Sequence, residues 1–511
     1  MSSRRPRVRL AALAGPAKLS EMVRKLVRWL PALALLGSVS CAFLLDFDEL
    51  KGEPGDAGSD TSSGGVAGGG GSGGAVGGSA GVAGSGGSAG DAGPCGKSCD
   101  DGDPCTTDVC LTPEGGTPTC GHVGKLYDDG QLDLPAEEYL GGLSAVGGSD
   151  RFYVSKYFGT KLGDAGTWQF DSSVFAVPVD GSLQKTAEYP LGPSFGGGPR
   201  GPVSLVHDGS NLIGFVAVQV SGFDWRVKQL AFPANLGAAP TAADVCSGAC
   251  YDLTLDGTLR PEGFLGPSGE PGAMWIGPNG IWIGNASTKP TQKTITASKV
   301  TGLAPVISES AIGAFWRDDT TLNVTITGTS ETSMTPASCD TTKGFFGGLV
   351  AAGRGRLWTG AFTTNIVAAG PSTEFNSFLI TGNQVQELSS CKSNPESLIQ
   401  GVNLPGMTAF KRPASSPDER VHFAVAGINA AESSLALTAS YVELQPGKAE
   451  LAGIAKFEMT GSPSTKLPSS KGVDQPVVAH AGDKLLVAWR DSGAAGGFQA
   501  TLRLRRFKLC Q

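Results

Sequence analysis

Cysteine is the residue type with the most obvious chemistry in this chain, which has 11 cysteines and only four histidines. The histidines are scattered along the sequence, at His122, His207, His422 and His480. Zinc and copper enzymes usually show tighter clusters of ligands, so we expect no metal site and no cofactor. Ten cysteines follow Cys41, an even number that can pair completely in an oxidising compartment. The disulfide candidates are Cys95, Cys99, Cys105, Cys110, Cys120, Cys246, Cys250, Cys339, Cys391 and Cys510.

Cys41 follows a basic segment, an apolar segment and two small residues. Three cations lie within residues 24–28, and residues 29–40 read WLPALALLGSVS. This order resembles the signal peptide of bacterial lipoproteins, in which a peptidase cuts before the cysteine and the cysteine is acylated. The resemblance implies removal of residues 1–40 and lipidation of Cys41. An apolar segment of about 12 residues is too short to cross the hydrocarbon core as a helix, so we expect no retained membrane span.

The residues around the cysteine refine this prediction. Residues 39–40 fit the lipoprotein pattern, whereas Ser38 stands where the family prefers leucine. The alternative is an ordinary secretory signal cut nearby, with Cys41 incidental. Starting the chain at Met22 would give a signal of normal proportions. Because Ala42 rather than aspartate follows the cysteine, the resemblance implies an outer-membrane lipoprotein.

The charge of the exported body limits its partners. Removing residues 1–40 takes away eight of the 40 Lys and Arg residues and one of the 47 Asp and Glu residues, which changes the net charge from −7 to −14. Nucleic-acid binding depends on clustered lysine and arginine that neutralise phosphates. We therefore expect no nucleic acid among the partners. The expected contacts are with the membrane, through the lipid anchor, and with a glycan or another envelope protein.

Residues 52–93 form a linker between the anchor segment, residues 41–51, and the rest of the chain. Glycine makes up nearly half of the linker, and neither lysine nor arginine occurs in it. Such a segment has too few apolar side chains to offset the entropy of ordering it, so we expect it to be disordered. A Gly-rich coil of this length would span roughly 35–40 Å. It would hold the folded part clear of the lipid surface.

Residues 94–124 form a small cysteine-rich module that contains the sequence CDDGDPCTTDVC. Its cysteine spacing and central CTTDVC resemble the slime-mould CTDC repeat, a short extracellular unit. A segment this small cannot bury a core, so it must be held by disulfides. Zinc is the alternative, but its sites normally show paired cysteines two to four residues apart. Calcium binding by the aspartates lacks the residue order of an EF-hand.

The body, residues 126–511, is predicted to be all-β. Short apolar or alternating segments separated by Gly, Asp, Asn and Pro recur, and no long stretch has helical periodicity. One unit, an apolar strand, a tight turn and a second apolar strand, recurs seven times. It begins at Leu143, Val203, Ala273, Ala311, Gly348, Met407 and Val477. Asp208-Gly209 and Asn279-Gly280 supply the residues that tight hairpin turns require.

Repeated hairpins with one or two further strands are the pattern of a β-propeller. Seven hairpins favour seven blades. Six is the alternative count, because the units at Ala311 and Gly348 are close together in the sequence. Two consecutive β-sandwiches are the alternative architecture.

The sequence supports binding more than catalysis. The chain has no HExxH, no Walker loop and no sialidase-type Asp box, so we assign no catalytic residue. Glu137-Glu138 and Asp318-Asp319 are paired only in sequence, since neighbours on a strand point to opposite sides. The tryptophans of the hairpins, Trp275, Trp282, Trp316, Trp358 and Trp489, are interpreted as packing between blades. The alternative function is a propeller-type glycosidase or lyase, which would gather carboxylates, Arg, Tyr or His at one channel mouth.

Lipidation of Cys41 can be tested directly. Metabolic labelling with a fatty-acid probe should mark the wild-type protein and miss Cys41→Ala, because the acylated sulfur is then absent. Equal labelling of the two proteins would show that the anchor is elsewhere or does not exist.

Overall fold

The structure is a computed structural model that describes most of the chain after residue 105, with gaps. The described residues are 100, 106–111, 119–163, 167–192, 198–199, 201–221, 224–246, 260–277, 280–293, 300, 302–317, 322–327, 332–334, 345–366, 370–382, 384–393, 402–410, 422–429, 434–436, 440–444, 451–456, 458–460, 476–491 and 499–509. The predicted signal peptide, the anchor at Cys41 and the linker 52–93 lie outside them. The described part contains no helix long and apolar enough to span a bilayer.

The described elements are all β-strands, as the alternating sequence pattern predicts. They are β1 (Thr106–Leu111), β2 (Thr119–Asp133), β3 (Tyr139–Gly147), β4 (Arg151–Leu162), β5 (Thr167–Pro178), β6 (Ala187–Leu191), β7 (Gly198–Pro199), β8 (Ser204–His207), β9 (Leu212–Ser221), β10 (Asp224–Phe232), β11 (Thr241–Cys246), β12 (Glu262–Leu265), β13 (Pro271–Gly277), β14 (Gly280–Asn285), β15 (Thr288–Lys293), β16 (Gly302–Ile307), β17 (Ile312–Arg317), β18 (Leu322–Thr327), β19 (Thr332–Met334), β20 (Phe345–Arg354), β21 (Leu357–Ile366), β22 (Gly370–Thr381), β23 (Gln384–Ser393), β24 (Val402–Phe410), β25 (His422–Asn429), β26 (Ser434–Ala436), β27 (Ser440–Leu444), β28 (Leu451–Lys456), β29 (Glu458–Thr460), β30 (Val477–Ala481), β31 (Lys484–Asp491) and β32 (Thr501–Leu509).

The strands form small antiparallel sheets in which neighbours in sequence are neighbours in space. Four sheets are simple four-stranded meanders, with the orders β3–β6, β12–β15, β16–β19 and β20–β23. A further sheet has the order β11-β10-β9, with β8 and the short β7 both paired to β9. Strands β24–β26 and β27–β28 pair separately, with β25 in contact with β27. The last sheet joins β30, β31 and β32 to β2 from the other end of the body.

The first strands of these sheets lie in a closed ring. Strands β3, β8, β12, β16, β20, β24 and β30 each contact the next, and β30 contacts β3. Small sheets arranged radially around an axis are the architecture of a β-propeller. The body is therefore an all-β propeller, as predicted. The blade count of seven stays a prediction, and the seven first strands of this ring support it.

The seven predicted hairpins fall on seven different sheets or sheet groups of this ring. Five of them form the first two long strands of their blades: those at Leu143, Val203, Gly348, Met407 and Val477. The other two, at Ala273 and Ala311, form the second and third strands of their blades. This offset explains why the units at Ala311 and Gly348 lie close in the sequence. In the predicted turns, Gly209 and Gly280 have φ of +97° and +145°, in the region that favours glycine.

The core lies between neighbouring blades. Phe152 packs toward the last sheet and Tyr153, the next residue, packs toward the second blade. Phe315 and Trp316 divide in the same way between the blades on either side. Because successive side chains of a strand point to opposite faces, the first and fourth blades are buried on both faces. The apolar runs of the sequence arise from this double burial.

The ring is closed by β2, which pairs antiparallel with β32 from Leu126↔Leu509 to Asp133↔Arg503. A register shift between Asp128 and Gly130 leaves Asp129 as the extra residue of a bulge. Its carboxylate accepts hydrogen bonds from Arg506 Nε at 2.7 Å and Lys484 Nζ at 2.6 Å. Arg506 is only 1% exposed.

The Arg506 guanidinium also joins the first blade to the last. Nη1 donates to the Pro178 carbonyl at 2.9 Å, and Nη2 donates to the carbonyls of Asp129 and Gly181. One buried cation therefore holds the closing strand, the C-terminal strand and the turn between β5 and β6. A buried charge is tolerated because its donors are satisfied.

Strand β2 extends beyond the propeller. Its first part, residues 119–124, pairs with β1 in the cysteine-rich module, in a register that includes Cys110↔Cys120. Its next residues pair in parallel with β29. Strand β2 thus runs through residue 125, the predicted junction between the cysteine-rich module and the propeller. The module and the propeller therefore share one strand.

Removing the carboxylate of Asp129 should weaken the closure. Asp129→Asn removes the counter-ion of the buried Arg506 and the nearer of the two carboxylates beside Lys484, which keeps Asp180 at 3.7 Å. We expect the free energy of unfolding to fall by about 3 kcal/mol at pH 7. Asp128→Asn is the matched control: this carboxylate is more exposed and pairs with Arg505, so its loss should cost about 0–1 kcal/mol. Denaturant titration of both variants measures the difference.

The pH dependence provides a second readout. Burial opposes ionisation of Asp129, but hydrogen bonds and charges from Lys484 and Arg506 hold its pKa below the usual value. A carboxyl with a lowered pKa contributes stability above its unfolded pKa of about 4 and loses it as the pH falls through the folded pKa. The wild type should therefore lose more stability on acidification below about pH 4 than Asp129→Asn does. Parallel pH profiles would contradict this account of the closure.

Candidate functional site

The hairpin of β4 and β5 is the longest regular feature of the first blade. Each strand has 12 residues, paired without a break from Arg151↔Pro178 to Leu162↔Thr167. At its tip Leu162 is 47% exposed, and Gly163 takes a φ of +62°. The half of the hairpin near the tip lies at the end of the propeller where the first strands begin, outside their ring. We call the opening of the ring at this end the upper mouth.

Four aromatic residues cluster here, and we call them the aromatic platform. Tyr157, Trp168 and Phe170 lie on this half of the hairpin, and Tyr139 lies beside it at the start of β3. The rings of Tyr157 and Phe170 have centroids 5.6 Å apart and planes 17° from parallel. Those of Phe170 and Trp168 are 6.2 Å apart and 19° from parallel. Tyr139 meets Phe170 edge-on, at 5.4 Å and 84°. All four side chains are partly exposed.

The segment before β3 is held against β4 by two consecutive carboxylates. Glu137 pairs with Lys156, and Glu138 accepts a hydrogen bond from the backbone N–H of Lys161. The two glutamates thus have separate partners, which agrees with the expectation that neighbours on a strand cannot act as one acid–base pair. Their role is to fix the segment that carries Tyr139.

A charged cluster lies beneath the platform, on the face of the blade that packs toward the last sheet. Lys156 lies 3.6 Å from Glu188, which also accepts hydrogen bonds from Ser173 and Lys185. Burial opposes ionisation of Glu188, but Lys185, Ser173 and Lys156 hold its pKa below the usual value. The carboxylate therefore stays ionised and serves as an ion-pair partner.

Arg260 extends from the third blade to the first at the upper mouth. Its Nε lies 2.9 Å from Glu262 Oε1, and its Nη1 donates to the Leu143 carbonyl of β3. A register shift between Leu140 and Leu143 forms a bulge in β3 at this point. The pair of Arg260 and Glu262 is partly exposed, with each side chain at 25%. It is thus a charged group at the rim of the channel.

The lower mouth, where the first strands end, carries two of the histidines. His207 stacks on Tyr153 with centroids 5.9 Å apart, and its Nδ1 accepts a hydrogen bond from the Gly209 N–H. Burial lowers the pKa of His480. The two histidines are therefore held by packing and by local hydrogen bonds.

The hairpin tryptophans pack between blades, as the sequence analysis interprets them. Trp275 and Trp489 are fully buried, and Trp316 and Trp358 are nearly so. Trp282 is partly buried against the cluster that contains Trp275.

Few predicted site residues fall where their side chains are described. Cys110 and Cys246 are disulfide-bonded. Cys120 and Cys391 lie on β2 and β23. The remaining predicted residues are outside the described part: Cys41, Cys95, Cys99, Cys105, Cys250, Cys339 and Cys510. Within the described ranges, no group of three or more His, Cys, Asp or Glu residues is placed to hold a metal ion.

The aromatic platform was missed by sequence reasoning. The signal is present as Tyr157-x-Gly159 on one arm of the hairpin and Trp168-x-Phe170 on the other. Both pairs alternate as one strand face requires. The pairing register that brings the arms together cannot be read from either arm alone.

Comparison with known proteins adds a distant likeness of fold. No protein-family profile and no curated protein sequence matches the chain. Among solved structures, the phage phi92 endosialidase is 10% identical with a TM-score of 0.36, covering 78% of this chain and 71% of its own. The β-propeller domain of Myceliophteria thermophila Cps50 (Swd1) is 12% identical with a TM-score of 0.33, covering 74% and 98%.

A third structure is the catalytic domain of the Coprinopsis cinerea GH62 α-L-arabinofuranosidase. It is 10% identical with a TM-score of 0.31, covering 60% of this chain and 89% of its own. Likenesses at these scores carry no inference about what this chain binds or does.

Proposed function

We propose that this chain is a lipid-anchored cell-envelope protein whose propeller binds a glycan on the aromatic platform. The observation that carries the proposal is the group of four partly exposed rings: Tyr157, Phe170 and Trp168 form an offset stack on the β4–β5 hairpin, and Tyr139 meets Phe170 edge-on from β3. Aromatic faces stack on the C–H faces of sugar rings, and such contacts combine apolar area with defined orientation.

The surroundings of the platform favour a rigid recognition surface. Glu137 and Glu138 fix the start of β3, and Lys156 links that segment to the second strand of the blade. Side chains held in this way lose little entropy when a ligand binds. The acidic net charge of the exported body argues against a nucleic acid as the ligand.

Anchoring is part of the same proposal. Cys41 would attach the chain to the outer membrane, and the Gly-rich segment 52–93 would hold the propeller away from it. Such a spacer suits a domain that must reach a polysaccharide or a neighbouring envelope protein.

A second candidate is a carbohydrate-active enzyme of the glycosidase or lyase type. Arg260 and Glu262 at the upper mouth favour it, because an exposed arginine and carboxylate stand near the start of the first blade. The two candidates differ in where the sugar is held and in whether it is turned over.

The platform can be tested by substitution. We expect Trp168→Ala to weaken binding to an envelope glycan fraction about tenfold, since burying a large apolar side chain contributes about 1.5–3 kcal/mol and a factor of ten is about 1.4 kcal/mol. Leu162→Ala is the control, because it removes an exposed apolar side chain from the same hairpin outside the platform. Binding is measured by calorimetry on a panel of peptidoglycan fragments, lipopolysaccharide and neutral glucans.

Turnover is measured on the same panel with the wild type and Glu262→Gln. Saturable binding without turnover, weakened by Trp168→Ala alone, supports the proposal. Turnover that Glu262→Gln abolishes would favour the enzyme instead. Absence of binding to any glycan would refute both.

A further inference from the structure

A buried amide lies in the joint between the fourth blade, β16–β19, and the fifth blade, β20–β23. Phe315 of the fourth blade packs with Phe378 of the fifth, with ring centroids 6.0 Å apart. Asn376 lies two residues before Phe378 on β22, so its side chain is on the same face of the strand. Gly360 of β21 pairs with Asn376, and a Cβ atom at Gly360 would overlap the Phe315 ring. The amide is therefore enclosed between the two blades, and Asn376 is 0% exposed.

The amide of Asn376 makes no hydrogen bond to the described part of the chain. Neither its Oδ1 nor its Nδ2 has a partner there, although a side-chain amide offers two donors and two acceptor lone pairs. In native proteins the large majority of buried polar side-chain atoms are hydrogen-bonded, either to protein or to ordered water. A buried amide without a partner would lower the stability of the folded state. A partner from outside the described chain is thus required.

A second buried polar atom lies beside the amide. Glu387 is directly opposite Phe378 in the register of β22 and β23, so its side chain is on the face that carries Asn376. Its Oε1 is buried and has no hydrogen-bond partner among the described residues. Burial raises the pKa of Glu387, and the neighbouring Asn376 amide offsets part of that rise. The amide and the carboxyl group are therefore neighbours, and Oε1 and both amide atoms still need partners.

The two strands are distorted at this point. The register of β22 and β23 shifts twice in succession, between Phe375 and Ser377 and between Ser377 and Phe378. Extra residues at such bulges are left unpaired, so backbone groups beside Asn376 lack their ladder partners. Glu387 is partly exposed, which connects the polar group with solvent along the outer strand of the blade. A buried water needs such further partners, and it needs a polar site.

We infer that Asn376 and Glu387 bind an ordered water molecule in the joint between the fourth and fifth blades. The water bridges the Asn376 amide to Glu387 Oε1 and makes its remaining hydrogen bond to the bulged backbone. Buried waters typically make about three hydrogen bonds to groups that would otherwise be unsatisfied. A metal ion does not fit, because the described residues place no group of three or more His, Cys, Asp or Glu side chains together. This site is independent of the proposed glycan binding, which takes place on the first blade.

The test is a crystal structure of the full-length protein at a resolution that shows ordered water. We expect a water peak at about 2.7–3.2 Å from an amide atom of Asn376 and from Glu387 Oε1. A direct hydrogen bond between these two side chains, with no peak beside them, would overturn the inference. A peak that contacts only one of the two side chains would overturn the bridge as well.

Stability measurements give a second readout. Asn376→Leu removes one anchor of the water and leaves Glu387 Oε1 unpartnered, so we expect the equilibrium constant for unfolding to rise about tenfold. Ser377→Ala is the matched control: this neighbouring residue is also 0% exposed, and its hydroxyl lies 2.8 Å from that of Thr359. Ser377→Ala should also lower stability, but its crystal structure should keep the water. If Asn376→Leu stabilises the protein, the amide has no partner in the native state and the inference is wrong. If Asn376→Leu does not fold, the wild-type crystal structure decides.

Discussion

Closure of the ring by β2 is the constraint on which the rest of the molecule depends. In a propeller whose first and last blades are joined only by side-chain packing, no backbone hydrogen bonds link the two ends of the chain. Here the antiparallel ladder of β2 and β32 supplies backbone hydrogen bonds, and the buried Arg506 adds contacts to Asp129 and to the turn after β5. The ladder and the contacts of Arg506 offset the conformational entropy that is lost when the two ends of the body are held together.

Closure also positions the candidate site. After β2 the chain stays on the last sheet, with hydrogen bonds from Leu134 to Leu502 and between Glu137 and Ala500. The following residues start β3 and carry Tyr139, so the register of the closing strand sets the place of the first platform ring. The same strand continues into the cysteine-rich module. The cysteine-rich module, the closing strand and the first platform residue, Tyr139, thus follow one another along the sequence.

The repeating fold could be predicted from the sequence, because double-sided burial leaves short apolar strands with Gly and Asp turns in between. Buried tryptophans such as Trp275 and Trp489 carry the same signal. The closing pairs could not be predicted, since Asp129 and Arg506 are 377 residues apart and nothing local links them. The platform was hidden for a similar reason: the pairing register of β4 and β5 brings its rings together, and neither strand alone shows that register.

The most direct measurement is a crystal structure of the protein with a bound gluco-oligosaccharide. We expect a sugar ring against an exposed ring face of the aromatic platform, on the half of the β4–β5 hairpin near its tip. Density for the sugar only at the upper mouth, against Arg260 and Glu262, would contradict it and would make the channel the functional site.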